Sequence, residues 1–360
     1  MIFGDNQPLH TVIAVDAMGG DYAPTEIVMG VARVTVETSI NTILVGDEEK
    51  IKPILERTEH RPEQIKIVHT DQFITNDDEP KSILVKKPAA SMLIAAQICG
   101  SGQAHGMVSA GNTGAYILSA AKYIPRIKGV HKTAIATVYP TSNEKGRRDP
   151  FALILDIGAN IRCSTEDLVQ FAIMGKIYAS DVKGVKDPAV ALLNIGKEPH
   201  KGGDILSRAY EILSAQKNLN FIGNIEGNDI IKGLADVVVT EGYVGNIVMK
   251  TIEGIAEMLS HLGRYAFKRR FIWMLGLIAL SSGIKQLKQV TDYSEYGGAP
   301  LLGFREIVIK AHGRSRAKAI TNAIKVAAKT YRDNVCEKMA NEIALCEQQF
   351  HGSFNSGNPD

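Results

Sequence analysis

The feature that most constrains this chain is a unit repeated along it: a short apolar run, a loop rich in glycine and asparagine, then an amphipathic helix. Val12 to Val15 opens the series and runs into Gly19-Gly20, which forces a turn. NTILVGDEE (41–49) and QIKIVHTD (64–71) follow as further strands. HGMVS (105–109) leads through GNTG into the apolar helix AYILSAAKYI. FALILDIGAN (151–160) precedes a helix expected from about Thr165 to Ala179, with Ser164 as its N-cap. AVALLNIGKE (189–198), NFIGNIEGND (220–229), ADVVVTEGYVGN (235–246) and REIVIKAHGRS (305–315) repeat the pattern. One helix from about Ala317 to Phe350 closes it. Near-continuous apolar runs imply strands buried on both faces, and alternating β and α implies a parallel sheet. The expected architecture is therefore α/β: three layers, α/β/α, around a mostly parallel sheet. No Pro/Ser-rich linker divides the chain, so residues 11–350 read as one large domain. A helical amphipathic segment is expected at about 255–295, and 351–360 reads as a flexible tail.

Composition narrows the function classes. Of 360 residues, 41 are Lys or Arg and 39 Asp or Glu, a net charge of +2, and aromatics make up 6%. Neither bulk charge nor stacking capacity suits nucleic acid, so no nucleic-acid partner is expected. Cys99, Cys163, Cys336 and Cys346 include no CxxC pair, which disfavours a zinc knuckle and suits reduced thiols in the cytoplasm. MIFGDNQPLH lacks the basic start, apolar core and small-residue cleavage site of a signal peptide. The longest notable apolar stretch, Phe271 to Ile284, is shorter than the roughly 20 residues that span a bilayer.

Ligands of open α/β sheets bind beyond the carboxyl ends of the strands. Those ends here share a composition: Asp16, Gly19, Gly20 and Asp21; Ser109, Gly111, Asn112, Thr113 and Gly114; Asp156, Gly158 and Asn160; Asn194 and Gly196; Asn224, Glu226 and Gly227; Glu241, Gly242, Gly245 and Asn246; His312, Gly313, Arg314 and Ser315. Glycine admits backbone N–H groups close to a ligand, and helix N-termini favour phosphate. Any one loop reads as a turn; seven at equivalent strand ends read as the walls of one shared polar cleft. GxGxxG after the first strand, GxxxxGK[ST], HExxH and GxSxG are all absent, so dinucleotide, P-loop, zincin and nucleophile-elbow chemistries are disfavoured.

VDAMGGD (15–21), KKPAASM (86–92), VSAGNTGA (108–115), LDIGAN (155–160), LVQFAIMG (168–175), LLNIGKE (192–198), NFIGNIEGNDI (220–230), ADVVVTEGYVGNIVMKTIEG (235–254) and HGRS (312–315) together resemble the bacterial phosphate acyltransferase (PlsX) family, in order, over about residues 11–335. Two departures stand out: Ala89-Ala90 where the family often has Ser-Ser, and Glu241-Gly242 where it has Asp-Gly. The first removes hydroxyls, so no catalysis is expected from the centre of that loop. The resemblance implies transfer of a fatty acyl group from acyl-[acyl-carrier protein] to inorganic phosphate, giving acyl phosphate for phospholipid synthesis. It implies a fold like that of isocitrate/isopropylmalate dehydrogenases and phosphotransacetylase, and a homodimer. A CoA-dependent phosphotransacetylase and a non-catalytic carrier-binding regulator are the rival readings.

That chemistry suits the residues. Phosphate near neutrality is already partly a dianion, and a thiol with a pKa of about 8.5 leaves readily as thiolate. Positioning and oxyanion stabilisation remain, which amide nests and a few cations supply. Neither a cofactor nor a metal is expected. Asn112, His312 and Arg314 are the catalytic candidates. Asp16, Gly19, Gly20, Ser109, Gly111, Thr113, Gly114, Asp156, Asn160, Lys201, Asn224, Glu226, Asn246, Lys250 and Ser315 are the substrate- or phosphate-binding candidates. Two readings fit Arg314, a phosphate fork or a sheet-edge salt bridge, and two fit His312, an oxyanion donor or a structural histidine. Lys201 and Lys250 read equally as surface lysines, and Asp16, Asp21 and Asp156 as carboxylates that orient cations and amides. In the 260–290 segment Phe271, Trp273, Leu275 and Leu277 are flanked by Arg264, Lys268, Arg269, Arg270, Lys285 and Lys288. This pattern reads as a peripheral anchor on anionic membrane, near a membrane acyltransferase that takes the product, or as a dimer interface, or both.

Overall fold

The computed structural model describes residues 11–75, 77–144, 146, 149–268, 276, 280 and 297–355. Strand β1 (Val12–Asp16) shows how the sheet is buried. Ile13 and Val15 point into one apolar cluster, with helices α1 (Thr25–Glu37) and α10 (Ala317–Arg332). Ala14 points to the opposite cluster, under α4 (Ser91–Gly100) and α5 (Thr113–Tyr123). Side chains alternate across a strand, so a run apolar at every position must be covered twice.

The strands that follow are β2 (Asn41–Gly46), β3 (Ile65–His69), β4 (Gly106–Ser109), β5 (Ala134–Pro140), β6 (Phe151–Leu155), β7 (Val190–Leu193), β8 (Phe221–Ile225), β9 (Val237–Val239), β10 (Ala299–Leu302) and β11 (Ile307–Lys310). Among the described residues they join in one sheet, in the order β3-β2-β1-β4-β11-β10-β5-β6-β9-β7-β8. Leu153, Leu155, Val190, Leu192, Val237 and Val239 pack under α6 (Thr165–Ile177), α7 (Asp204–Ala215) and α11 (Val335–Asn355). Ile154, Ala191, Leu193 and Val238 face Ile230 of α8 (Gly227–Lys232) and Met249 of α9 (Gly242–Lys268). Helices thus cover both faces of both halves, the expected three layers.

The sheet is parallel within each half but not across its middle. β3, β2, β1, β4 and β11 are mutually parallel, as are β6, β9, β7 and β8. Between them β10 is antiparallel to both β11 and β5, and β5 is antiparallel to β6. The two halves therefore run in opposite directions, and their carboxyl ends open on opposite edges of the sheet.

Ser164 caps α6 as expected: its Oγ accepts from the Asp167 N–H at 3.2 Å, and Asp167 accepts from the Ser164 N–H at 2.8 Å. The closing helix differs from expectation. It is two helices, α10 and α11, broken at Asn334, whose φ of 53° is left-handed and stops helical propagation. The second helix runs on to Asn355, into the stretch expected to be tail; 356–360 lie outside the described residues.

Gly30 marks where α1 and α10 touch. A Cβ there would lie 2.7 Å from Ile320 Cβ and 2.8 Å from the Ala317 carbonyl oxygen. Ala in place of Gly gains about 1 kcal/mol of helix propensity, but overpacking of this kind costs about 1–3 kcal/mol. Gly30→Ala is expected to lower the urea midpoint at unchanged slope; a raised midpoint would show that the helices can part without loss.

Candidate active site

Two buried carboxylates build the loops of the site. Asp16 ends β1 and is 1% exposed. Ser91 Oγ donates to its Oδ1 at 2.6 Å, Ser109 Oγ to its Oδ2 at 2.6 Å, and the Met18 N–H to Oδ1 at 3.2 Å. Ser109 in turn accepts the Gly111 N–H at 3.0 Å, so Asp16 holds the GNTG loop through one hydroxyl. Burial raises the Asp16 pKa, and the hydroxyls of Ser109 and Ser91 offset part of that rise. Gly19 has to be glycine, because a Cβ would lie 2.4 Å from Asp16 Oδ2 and 2.8 Å from the Gly111 nitrogen. The Asp21 N–H donates to the Gly313 carbonyl at 2.8 Å, tying this loop to the one after β11.

Asp156 plays the matching part after β6. Its Oδ1 accepts the N–H groups of Ile135, Gly158 and Ala159 at 3.0–3.1 Å, and its Oδ2 accepts the N–H and the amide side chain of Asn160, both at 2.8 Å. Burial pushes its pKa up, and these donors pull part of the shift back. A Cβ on Gly242 would lie 2.6 Å from Asp156 Oδ2, so the start of α9 packs directly on this turn.

Between these loops lies a cleft of about 620 Å³. Asp21, Gly111, Asn112 and Thr113 form one wall, and Lys310 to Ser315 another. Ile135, Thr137 and Val138 of β5 run along it, and Asn246, Met249, Lys250, Glu253 and Glu257 of α9 close the far side. Asn112 is the N-cap of α5: its Oδ1 accepts from the Ala115 N–H at 3.0 Å. Among the described residues the N–H groups of Thr113 and Gly114 meet no protein acceptor, so the positive end of α5 is open there. His312 Nδ1 accepts the Arg314 N–H at 3.1 Å, which leaves the ring proton on Nε2. Burial, then the Lys310 cation, lower the His312 pKa and keep the ring neutral near pH 7. Arg314 is exposed and makes no ion pair among the described residues, so the salt-bridge reading finds no partner there. Lys250 does pair, with Glu253 at 2.7 Å.

The candidates from sequence thus fall into three groups. Gly111, Asn112, Thr113, Asn246, Lys250, His312, Arg314 and Ser315 line the cleft. Asp16, Gly19, Gly20, Ser109, Gly114, Asp156 and Asn160 stand behind its lining and shape it. Lys201, Asn224 and Glu226 line no part of it: they follow β7 and β8, the two strands at the far end of the sheet, beyond β6 and β9 whose end loops do reach the cleft. The expectation of one cleft shared by all the glycine loops is corrected accordingly. In that second loop pair Asn194 donates to the Lys201 carbonyl at 2.8 Å and Asn224 to the Glu198 carbonyl at 2.9 Å, while the Glu226 N–H donates to Asp229 at 3.3 Å. Phe271, Trp273, Leu275 and Leu277 lie outside the described residues. The motif reading passed over Ser91, next to Ala89-Ala90, and Lys310, one place before the loop that drew attention; a polar residue ending an apolar run was the available signal in Lys310.

A family model described as "Fatty acid synthesis protein" matches residues 11–338. The phosphate acyltransferase of Dictyoglomus turgidum is 45% identical over 329 residues, spanning 91% of this chain and 96% of its own length. That of Nitratidesulfovibrio vulgaris is 37% identical over 338 residues, 94% and 96% of the two chains. Among solved structures, a phosphotransacetylase from Streptococcus pyogenes superposes with a TM-score of 0.61 at 18% identity, over 90% of this chain and 94% of its own. A branched-chain phosphotransacylase from Enterococcus faecalis gives 0.53 at 15%, over 89% and 99%. These two share the fold.

Truncating Asp156 would strip five N–H donors of their acceptor. Each buried group left unpaired costs about 1–3 kcal/mol, so Asp156→Ala is expected to lose at least about 3 kcal/mol of unfolding free energy. Denaturant titration checks this, and a loss under about 1 kcal/mol would mean that water replaces the carboxylate.

Proposed function

The chain belongs to the fatty acid synthesis protein family that includes the phosphate acyltransferases, and we propose that the cleft between the β4 and β11 loops and α9 is where its acyl transfer takes place. As a phosphate acyltransferase it moves an acyl group onto inorganic phosphate. The donor is acyl-[acyl-carrier protein], and the product is acyl phosphate for phospholipid synthesis. One observation carries this siting: the open N-terminus of α5 and the Arg314 guanidinium, unpaired among the described residues, flank the same 620 Å³ space. Both are donors suited to a phosphate dianion, one by its amides and the other by a bidentate fork.

In this reading a phosphate oxygen attacks the thioester carbonyl carbon. A C–O bond forms, the C–S bond breaks, and the thiolate leaves with the electron pair. Phosphate needs no protein base for this, and the thiolate needs little acid. Thr113, Gly114, Arg314 and Ser315 hold phosphate, and His312 Nε2–H and the Asn112 amide donate to the carbonyl oxygen as it becomes an oxyanion. Ile135, Val138, Ile157 and Met249 supply an apolar wall for the start of the acyl chain. We read the fold as one like that of phosphotransacetylase, a reading supported by the TM-score of 0.61 to the Streptococcus pyogenes enzyme. Incubating the purified protein with acyl carrier thioester and phosphate, then trapping with hydroxylamine, should yield the acyl hydroxamate. Product from CoA thioester alone would favour the phosphotransacetylase reading.

The peripheral and dimeric character belongs to the same proposal. No helix among the described residues is long and apolar enough to cross a membrane. α9 instead exposes Ile255, Met258, Leu259 and Leu262, a stripe at helical spacing that runs toward the apolar 271–284 stretch. A second copy of the chain covering this stripe, with the basic-flanked 271–284 stretch resting on anionic lipid, accounts for both features and keeps the enzyme cytoplasmic.

Arg314→Ala should reduce kcat/KM for phosphate roughly 10- to 100-fold with the fold intact, since a charge-assisted hydrogen bond is worth about 1.5–3 kcal/mol. Unchanged kinetics would remove Arg314 from the site. For Asn112 the cap and the amide can be separated. Asn112→Asp keeps the acceptor for Ala115 and should hold the melting temperature while cutting turnover; Asn112→Ala should also lose about 1 kcal/mol of stability. Trp273→Glu with Leu277→Glu should abolish salt-sensitive binding to anionic vesicles and spare activity in solution. Collapse into inactive monomers instead would assign the stretch to the dimer interface alone.

A further inference from the structure

Lys310 is the last residue of β11, after three apolar positions, and it lies across from Ala299 on β10 and beside Ser109 on β4. It is only 6% exposed, yet it lines the cleft between His312 and the Asn112 loop. An ammonium carries three N–H donors, and among the described residues this one donates to the Ala311 carbonyl alone. Among the described residues no ion pair holds it: Asp16 acts on it through space while its oxygens are taken by Ser91, Ser109 and Met18. A buried charge left mostly unpaired is costly, and a methionine would fill this place without that penalty. The position makes sense if the remaining donors serve an anion that enters the cleft.

We propose that Lys310 is a catalytic residue that grips the phosphate nucleophile at the floor of the cleft with its ammonium group, while Arg314 holds the same anion from the rim. This rests on the reading that acyl transfer takes place in this cleft. The floor position matters because a cation shielded from water acts far more strongly on an anion than one at the surface, and it fixes the oxygen that must meet the thioester carbon.

The assignment has a pH signature. The charged and titratable groups around Lys310 are Asp16 and Asp21 from the β1 end, His312 and Arg314 from the β11 loop, and Lys250, Glu253 and Glu257 from α9. Burial brings the Lys310 pKa down from 10.5 to about 8, against the pull of Asp16 and Asp21, whereas burial moves His312 to the acid side of 6.5. Inorganic phosphate has completed its second ionisation by then, so it contributes no basic limb. kcat/KM for phosphate, which reports the free enzyme, should therefore fall as pH rises through about 8.

The test varies inorganic phosphate at saturating acyl carrier thioester from neutral to alkaline pH, in the wild type, Lys310→Met, Lys310→Gln and Lys310→Arg. Lys310→Met should raise phosphate KM about tenfold or more, leave the thioester KM within about twofold, and keep or raise the melting temperature. Lys310→Arg should retain part of the activity and lose the basic limb. The proposal is overturned by a wild-type profile with no basic limb, by a limb that persists in Lys310→Arg, or by unchanged phosphate KM in Lys310→Met. It is equally overturned if the Met and Gln variants both fail to fold, which would make Lys310 a core residue. If Arg314→Ala and Asn112→Asp impair the enzyme while Lys310→Met does not, the cleft stands and only this assignment falls. If all three are silent, the cleft itself is wrong.

Discussion

Asp16 and Asp156 are the constraint from which the rest of the structure follows. Burying a carboxylate costs several kcal/mol even after relaxation, so each must be surrounded by donors or the fold would reject it. Asp16 recruits two hydroxyls and one amide, and Asp156 four backbone amides and one side-chain amide. Charge-assisted bonds of about 1.5–3 kcal/mol each offset the desolvation and leave the loops fixed. Fixing them dictates glycine at 19, 242 and 245: a Cβ on Gly245 would collide with the Asp156 carbonyl, and the other two would strike the carboxylates themselves. The glycine-rich motifs are, in large part, clearance around two acids.

The second constraint is the reversal at the middle of the sheet. Without β10 and β5 the chain would be two parallel sheets, each with its own crevice. The antiparallel pairs join them so that the half built around β1 presents the ends of β4 and β11, while the half built around β6 contributes the flank of α9 and Ile157 and Gly158 after β6. The cleft is thus assembled from strand-end loops on one half and from a helix side and the β6 loop on the other. That accounts for its mixed lining, with Asn112, His312 and Arg314 facing Met249 and Lys250 across β5.

How far the sequence foretold this follows from the same physics. Strands buried on both faces are apolar at every position, so β1, β2, β4, β6, β7, β9 and β11 were legible as runs. β5 and β10 were not: β5 leads through a hairpin loop into β6 rather than into a helix, and β10 is four residues containing a proline. Those two strands carry the antiparallel pairings, so the topology of the middle was hidden with them, and so was the place of β7 and β8 at the far end of the sheet, which keeps Lys201, Asn224 and Glu226 out of the cleft. The break at Asn334 was hidden because the apolar spacing continues through it from Ile324 to Met339. Motif composition marked the loops that carry donors; it could not separate Asn112, which caps a helix, from Arg314, whose guanidinium makes no ion pair among the described residues.

Lys310 shows why charge placement had to come from the structure. In the sequence Lys250, Lys310 and Arg314 are three cations near glycine loops. In space Lys250 is neutralised by Glu253 at 2.7 Å on an exposed helix face, where such a pair is worth little and is screened by salt. Arg314 stands at the rim, available but hydrated. Lys310 is under cover, where the same unit charge interacts several times more strongly. An anion that reaches the floor therefore gains more than one held at the rim, and the gain is largest for the most charged ligand. If acyl transfer takes place in this cleft as proposed, that ordering would favour phosphate dianion over a neutral water molecule as the group presented to the thioester carbon. In that siting, acyl transfer to phosphate would be separated from hydrolysis by electrostatics, without a general base.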